Sequence, residues 1–311
     1  MVGLPNRPSM AYWHVMKSGR CAGNDGLLAR LAKPEDRPLV SALLASAARR
    51  HGMLAVEEQV ASLASGVSSL AIWQGEPAGF LGLTVRQPDR DPVEQWIDVT
   101  IASAADRVDA GPVFRRLVDA VRAVLSPNDI TGICALAAED WFSRALADAG
   151  FAEVDRVISY LRDDLRTPPS LASPARLWPL LPADANAVLA LNAASFAPLW
   201  RYDATRILSW VLTADHAVIA EERGHFVGFA LTTSQTLVEY AQLIRLAIHP
   251  EMQGLGIGRQ LVVDAIAYAR RIGSKGLMLN TQASNAASRH IYGALGFEGL
   301  EPSLPVMVLR P

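Results

Sequence analysis

The sequence predicts an α/β (α+β) protein built from two tandem copies of one domain. Apolar, strand-like segments alternate with segments of helical periodicity along most of the chain. Short pieces of the first half also return in the second half at a spacing of 145 to 149 residues. The length of 311 residues suits two domains of ordinary size.

The repeat consists of four segments whose pattern of apolar residues and glycines occurs in both halves. They are Ala29–Leu31 with Ala175–Leu177, Ala78–Phe80 with Val227–Phe229, Val118–Val121 with Val263–Ile266, and Ala149–Phe151 with Leu295–Phe297.

The first half begins with turn-forming residues that lack periodicity, so residues 1–26 are predicted to be an extension. Hydrophobic periodicity and turn signals then predict strands and helices in alternation. The predicted strands are Leu27–Ala32, Leu70–Trp73, Ala78–Thr84, Trp96–Ala102, Gly132–Leu136 and Phe151–Arg162, and the predicted helices are Leu39–His51, Val56–Ser65, Pro112–Leu125 and Trp141–Ala149.

A proline-rich segment separates the two halves. Pro168, Pro169 and Pro174 make residues 167–174 a stiff linker. We therefore predict one domain over 27–166 and a second over 175–311. The second domain is expected to open with helices at Val188–Phe196 and Thr205–Leu212.

The most informative stretch lies in the second half. Leu243–Ile248 is an apolar run typical of a buried strand, and Pro250 ends it. Gly254, Gly256 and Gly258 follow, and an apolar helical stripe (Leu261, Ala265, Tyr268, Ile272) comes next, ending in Arg270, Arg271 and Gly273. The unit is therefore a strand, a glycine loop and a helix N-terminus.

Such a unit is suited to binding an anion. The first N–H groups of a helix lack internal partners and lie at the positive end of its dipole. The spacing does not fit a Walker loop, because no lysine follows Gly258. It does not fit a dinucleotide fingerprint either, because the third glycine comes one residue early and Leu277–Asn280 offers no acid for a ribose.

A second group of polar residues lies downstream on a short predicted helix after the strand Leu277–Thr281. Asn285, Ser288 or Arg289, and Tyr292 share one face of that helix, and Gly296-Phe297 ends it. The Q-x-x-G-x-G loop from Gln253 to Gly258 and this N…Y…G-F arrangement together resemble the GNAT superfamily of N-acetyltransferases. The resemblance implies two tandem GNAT-fold domains, each with a mixed, mostly antiparallel sheet flanked by helices.

The resemblance also implies roles for individual residues. The pyrophosphate of acetyl-CoA, the expected cosubstrate, is held by the loop, and the pantetheine arm lies along the preceding strand. Tyr292 is the expected general acid beside the thioester sulfur. The expected cofactor-binding residues are Leu246, Ala247, Ile248, Gln253, Gly254, Leu255, Gly256, Ile257, Gly258, Arg259, Asn285 and Ser288.

The resemblance does not identify the general base, because Gln242 occupies the position where histone-type members carry a glutamate. Glu239, just upstream, is the candidate, and a solvated strand-edge acid is an equally good interpretation of it. The acceptor pocket is expected from the two opening helices, the segment Phe196–Asp203 and a loop at Pro302–Pro305. These elements suit a small polar or aromatic amine, and they fit packing at a domain interface equally well.

The first copy lacks every chemical feature of the second. Asp109 and Pro112 fall in the segment that matches the glycine loop, and Val113 replaces the last glycine. Glu139 occupies the position that corresponds to Asn285, and Leu146 occupies the position that corresponds to Tyr292. We predict that this copy keeps the fold and has lost acetyl-CoA.

Composition restricts the remaining functions. The chain has 29 Lys+Arg and 31 Asp+Glu, a net charge of −2, and no basic block that predicts nucleic-acid binding. No apolar run approaches the roughly 18 residues of a membrane span, so we expect a cytoplasmic protein. Neither Cys21 and Cys134 nor the histidines have the spacing of metal ligands, so no metal is expected. The expected activity is acetyl transfer to a small-molecule amine, and the alternative is a non-catalytic acyl-CoA-binding or regulatory protein.

Overall fold

The computed structural model describes residues 21–22, 26–52, 63, 67–86, 95–125, 130–166, 173–234 and 239–311. Contacts divide the chain into two units. Unit 1 comprises Met1–Val85, Ile97–Ala152 and Leu309–Pro311, and unit 2 comprises Arg86–Trp96 and Glu153–Val308. The predicted helix at Val56–Ser65, most of the predicted extension 1–26 and linker residues 167–172 lie largely or wholly outside the described residues.

Unit 1 is a sheet with helices. Its strands lie in the order β1-β2-β4-β5-β6-β7, and β3 pairs with β6. The strands are β1 (Cys21–Ala22), β2 (Leu27–Leu31), β3 (Arg49–Gly52), β4 (Ser69–Trp73), β5 (Glu76–Val85), β6 (Trp96–Ala104) and β7 (Gly132–Leu136). The helices are α1 (Arg37–Ser46), α2 (Ala110–Arg122) and α3 (Asp140–Asp148).

Unit 2 has the strand order β14-β8-β13-β12-β11-β10-β9. The strands are β8 (Ala152–Arg162), β9 (Arg176–Pro179), β10 (His216–Glu222), β11 (His225–Ser234), β12 (Ala241–Ile248), β13 (Leu277–Gln282) and β14 (Glu298–Leu309). The helices are α4 (Ala185–Ser195), α5 (Ala204–Thr213), α6 (Ile257–Arg271) and α7 (Ala286–Ala294). β12 and β13 are parallel, whereas β8–β13, β9–β10, β10–β11 and β11–β12 are antiparallel. The predicted mixed, mostly antiparallel sheet flanked by helices is confirmed.

Helices cover the sheet of unit 2 through two apolar clusters. The first contains the buried face of α6, with Leu261 and Ala265, together with Tyr292 of α7 and Leu295 just after that helix. The second contains residues of α4 and α5 packed on β11 and on Ala247 of β12. Within the described residues, no helix is both long and apolar enough to cross a membrane.

β8 belongs to unit 2 although it precedes the predicted linker. Its second half pairs with β13, from Arg162 opposite Leu277 to Val157 opposite Gln282. Asp155 of β8 accepts hydrogen bonds from the backbone and the hydroxyl of Ser284, at the start of the α7 region. The domain boundaries predicted along the chain remain a prediction, and the unit that carries the glycine loop also includes β8.

The structure corrects three sequence expectations. The helix predicted over Leu39–His51 ends at Ser46, because residues 49–52 pair with β6 as strand β3. The segment Pro302–Pro305 is part of β14 rather than a loop, and Arg156 of β8 donates to the carbonyl and hydroxyl oxygens of Ser303. Ile272 follows the end of α6 and is 43% exposed, so it does not belong to the apolar stripe.

One glycine of the sequence repeat has a packing role in both units. A Cβ on Gly79 would lie 2.3 Å from Val113 of α2, and a Cβ on Gly228 would lie 2.8 Å from Ile248 and 3.1 Å from the carbonyl oxygen of Ala247. Each glycine therefore allows a close approach to its neighbours that a side chain would prevent.

We predict that Gly228→Ala lowers the free energy of unfolding by about 1–3 kcal/mol, because the added methyl group overpacks the contact with β12. The control is Gly293→Ala on the exposed side of α7, where a Cβ would meet nothing within 4 Å. That change is expected to be neutral or stabilising by up to about 1 kcal/mol, as for Gly→Ala in an exposed helix. Urea unfolding of both variants measures the difference, and equal effects would contradict the packing argument.

A second prediction concerns a buried histidine of unit 1. His51 is 3% exposed, its Nδ1 lies 2.7 Å from Glu139 Oε2, and its ring stacks on Phe142 with a centroid distance of 4.2 Å. Burial lowers the pKa of His51, and the hydrogen bond with Glu139 offsets this only in part. The unfolded chain therefore takes up a proton first as the pH falls.

The free energy of unfolding should accordingly be greatest above the unfolded pKa of about 6.5 and should fall below it by up to about 1.4 kcal/mol per pH unit. His51→Gln removes the titrating group and should flatten this decline. Urea titrations between pH 5 and 7.5 measure the slope. An identical slope in the variant would assign the pH dependence to other groups.

Candidate active site

The site begins where two neighbouring strands separate. β12 pairs with β13 only at residues 241–243, whereas it pairs with β11 along its whole length. The register with β11 shifts between Leu231 and Thr232, so that Ile244 is an extra residue in β12. Such a bulge bends a strand and increases its local twist. Past Leu243, β12 therefore has a strand partner on one side only within the described residues.

The predicted cofactor-arm residues lie in this open part. Leu246, Ala247 and Ile248 are the last residues of β12. Their backbone groups on the β13 side have no strand to pair with in the described part of the chain. An extended ligand can hydrogen-bond to such an edge as an added strand would.

The glycine loop follows β12 directly. The His249 N–H donates to the Val227 carbonyl oxygen at 2.9 Å, and a 3₁₀ turn at Pro250–Met252 leads into the loop. The Gln253 side chain donates back to the Ile248 carbonyl oxygen at 3.3 Å. The predicted loop residues are thus fixed to the end of the strand that precedes them.

Two of the three glycines are required by their backbone conformation. Gly254 has φ +80° and Gly256 has φ +83°, in the left-handed region that favours glycine. Gly256 is the N-cap of α6, and no side chain caps that helix. Gly258 has no such constraint, and a Cβ there would make ordinary contacts. Ile257 and Gly258 therefore begin α6 without a side-chain acceptor at its N-terminus, as an anion site needs.

The predicted polar residues of α7 form a connected group. Asn285 is the N-cap and accepts a hydrogen bond from the Ser288 N–H at 3.1 Å. Ser288 in turn hydrogen-bonds the Tyr292 hydroxyl. In this structure Asn285 and Ser288 therefore have partners within their own helix.

Tyr292 is a buried tyrosine of α7. Its side chain is 5% exposed and belongs to the same apolar cluster as Ile248 and Ile257. Burial raises the pKa of Tyr292, and the Ser288 hydrogen bond lowers it by less. The hydroxyl is therefore protonated at neutral pH and can donate a proton or a hydrogen bond.

The sequence did not indicate one aromatic neighbour of Tyr292. Tyr160 of β8 is 8% exposed, and its ring centroid lies 5.7 Å from that of Tyr292. The sequence placed β8 in the first domain, so nothing local signalled this contact.

Glu239 lies before β12, away from the residues described above. It is in a bend before β12, its side chain is 69% exposed, and it forms an ion pair with Lys275. The Lys275 N–H also donates to its carbonyl oxygen at 2.8 Å. The structure places Glu239 at the opposite end of β12 from Ile248 and does not bring it into the cluster around Tyr292.

The segment predicted to border the acceptor surrounds an arginine that the sequence analysis did not single out. Arg245 of β12 is 8% exposed, and its guanidinium lies over the rings of Phe196 and Tyr202. It donates to Asn192 of α4 and to the Trp200 carbonyl oxygen. A charged residue inside an apolar strand was the available signal in the sequence.

In unit 1 the residues at the corresponding positions make contacts within the protein. The Asp109 carboxylate caps α2 by accepting from the Gly111 N–H at 3.1 Å. Glu139 pairs with His51, and Leu146 is fully buried. A negative side chain thus lies where unit 2 has an uncapped helix N-terminus.

Comparisons with known proteins find similarity to acetyltransferases. A sequence profile described as the Acetyltransferase (GNAT) family matches residues 186–297. The chain is 29% identical over 288 residues to the mycothiol acetyltransferase of Thermobispora bispora, a match that covers 85% of this chain and 93% of that protein. It is 36% identical over 76 residues to the ribosomal protein bS18-alanine N-acetyltransferase of Escherichia coli, which covers 24% of this chain and 50% of that protein.

A solved structure shows the same fold. The tandem GNAT protein from the clavulanic acid biosynthesis pathway superposes with a TM-score of 0.58 at 17% identity, over 91% of this chain and 97% of that one. The likeness therefore extends over both halves of the chain.

Proposed function

We propose that this acyltransferase, in which a GNAT-family profile matches residues 186–297, transfers the acetyl group of acetyl-CoA to the amine of a small molecule. Unit 2 would hold both substrates, and Tyr292 would be the general acid. The observation that carries this proposal is the position of Tyr292. It is a buried, protonated hydroxyl in the apolar cluster that also contains Ile248, at the end of the open strand, and Ile257, at the start of the uncapped helix.

The residues of unit 2 fit acetyl-CoA. Gly254 and Gly256 let the loop backbone approach a pyrophosphate, and the uncapped start of α6 attracts its negative charge. Leu246–Ile248 present backbone groups to an extended arm. Asn285 and Ser288 are proposed to contact that arm from α7.

The bound thioester supplies an activated acetyl group. In the proposed reaction the amine nitrogen forms the new C–N bond while the C–S bond breaks. The thiolate that departs needs a proton, and the Tyr292 hydroxyl would donate it. Burial favours this role, because it keeps the tyrosine protonated and excludes water as a competing donor.

The mycothiol acetyltransferase of Thermobispora bispora supports a small-molecule acceptor. Its name refers to mycothiol, and its match to this chain covers 93% of its length. A protein amine is the second candidate, since the bS18-alanine enzyme is similar over 24% of this chain. A non-catalytic acyl-CoA-binding protein would need neither a buried acid nor an acceptor.

We predict that Tyr292→Phe lowers kcat about 10²–10⁴-fold, the usual contribution of a general acid, and leaves acetyl-CoA affinity unchanged. Amine-dependent CoA release across a panel of small amines and calorimetric titration with acetyl-CoA measure the two quantities. The matched control is Tyr268→Phe, a buried tyrosine of α6 whose ring stacks on His216. It should retain activity.

The same titration should give one acetyl-CoA per chain, because Asp109 occupies the corresponding helix start in unit 1. Binding without turnover for any small amine or for an alanine-terminated peptide would favour the non-catalytic alternative. Turnover of the peptide alone would move the acceptor class to proteins.

The proton of the amine also needs an acceptor, and Glu239 acting through water stays the proposed base. Glu239→Gln is then expected to lower kcat about 10²-fold and to change the acidic limb of the pH–rate profile. Lys275→Met is the matched control, because it breaks the same ion pair and keeps the carboxylate. Equal, small effects of the two variants would show that Glu239 serves only its contact with Lys275.

A further inference from the structure

A buried positive charge lies on the strand proposed to hold the acyl arm. Arg245 directly precedes Leu246 on β12, and only 8% of its surface is exposed. No carboxylate in the described part of the chain forms an ion pair with it. Buried arginines usually have such a partner, because an unpaired charge in the interior is costly.

Neutral groups hold the guanidinium in place. The Asn192 side-chain oxygen accepts from Nε at 3.1 Å and from Nη2 at 2.6 Å, and the Trp200 carbonyl oxygen accepts from Nη2 at 3.1 Å. The ring centroids of Phe196 and Tyr202 lie 3.4 Å and 4.9 Å from the guanidinium carbon. The hydrogen bonds thus use the Nε and Nη2 edge of the guanidinium, and the aromatic rings cover its face.

The remaining nitrogen is available to a ligand. Nη1 donates to no acceptor among the residues that the structure describes. Burial lowers the pKa of Arg245 to about 10, which still leaves the side chain positively charged at neutral pH. The structure therefore contains an oriented cation with unused donors, surrounded by the segment expected to border the acceptor.

We propose that Arg245 binds a carboxylate of the acceptor, so that the preferred acceptors are amino-carboxylates rather than neutral amines. A single carboxylate matches the one charge and the free Nη1 donors, whereas a phosphate dianion calls for more donors than this guanidinium has left. The inference rests on the proposed acetyl transfer and specifies the substrate class of the same site.

The test uses acceptor pairs that differ only in carboxylate against carboxamide: glycine, β-alanine, γ-aminobutyrate and phenylalanine with their amides. The kcat/KM ratio within each pair is compared between variants, because the carboxamides have less basic amines and the raw ratio includes that difference. For at least one amine-to-carboxylate spacing, Arg245→Met should lower the ratio about tenfold or more, the usual effect of losing a hydrogen bond to a charged group. Arg245→Lys keeps the charge and should retain part of the preference.

The matched control is Arg206→Met, which removes an exposed arginine that lies 5.6 Å from the same Tyr202 ring. It should leave the ratio unchanged. A readout without turnover is the melting temperature with CoA present. The preferred carboxylate should raise it in the wild type more than its amide does, and this difference should vanish in Arg245→Met.

The outcomes separate the inference from the proposed function. Turnover with the same ratio in the wild type and in both Arg245 variants would overturn the carboxylate site and leave acetyl transfer intact. An equal fall in kcat/KM for both members of every pair would indicate that Arg245 only holds residues 196–202 in place. That result would also overturn the inference. No turnover of any amine by the wild type would overturn the proposed function and the inference with it. If Arg245→Met does not fold, the kcat/KM ratios are compared between the wild type and Arg245→Lys.

Discussion

The site of unit 2 depends on the incomplete pairing of one strand. β12 is bonded to β11 throughout but to β13 only at its first three residues. The bulge at Ile244 turns the rest of β12 away, which leaves backbone polar groups that need a partner. The glycine loop and α6 follow this open end along the chain, and Tyr292 belongs to the same apolar cluster as Ile248. A fully paired sheet would leave no edge at which a ligand arm could bind.

The two units show how one fold can carry opposite electrostatics at the same position. The repeat glycines Gly79 and Gly228 serve the same close packing in both. The helix that follows is capped by the Asp109 carboxylate in unit 1 and begins at the uncapped Gly256 in unit 2. A capping carboxylate satisfies the helix N-terminus and repels a phosphate, so a single side chain separates a structural helix start from an anion site.

Unit 2 also receives support from outside its own stretch of chain. β8 precedes the proline-rich segment, yet it pairs with β13, anchors Ser284 through Asp155 and places Tyr160 beside Tyr292. Arg245 is fixed in a comparable way, by oxygens of α4 and of the segment after it. Both the buried tyrosine and the buried cation are therefore held by groups far apart in sequence.

The sequence by itself determined the resemblance to the GNAT superfamily, the strand–loop–helix unit and most elements of both units, because these depend on local patterns. Glycines at Gly254 and Gly256 and the periodicity of α6 are visible in a short window of residues. Only the tertiary structure decided that residues 49–52 form a strand, that Pro302–Pro305 lie within β14, and that β8 joins unit 2. Strand pairing joins distant residues and overrides local propensity. The surroundings of Arg245 and Tyr292 were beyond the sequence for the same reason, since burial, partners and pKa come from packing between segments that no local pattern connects.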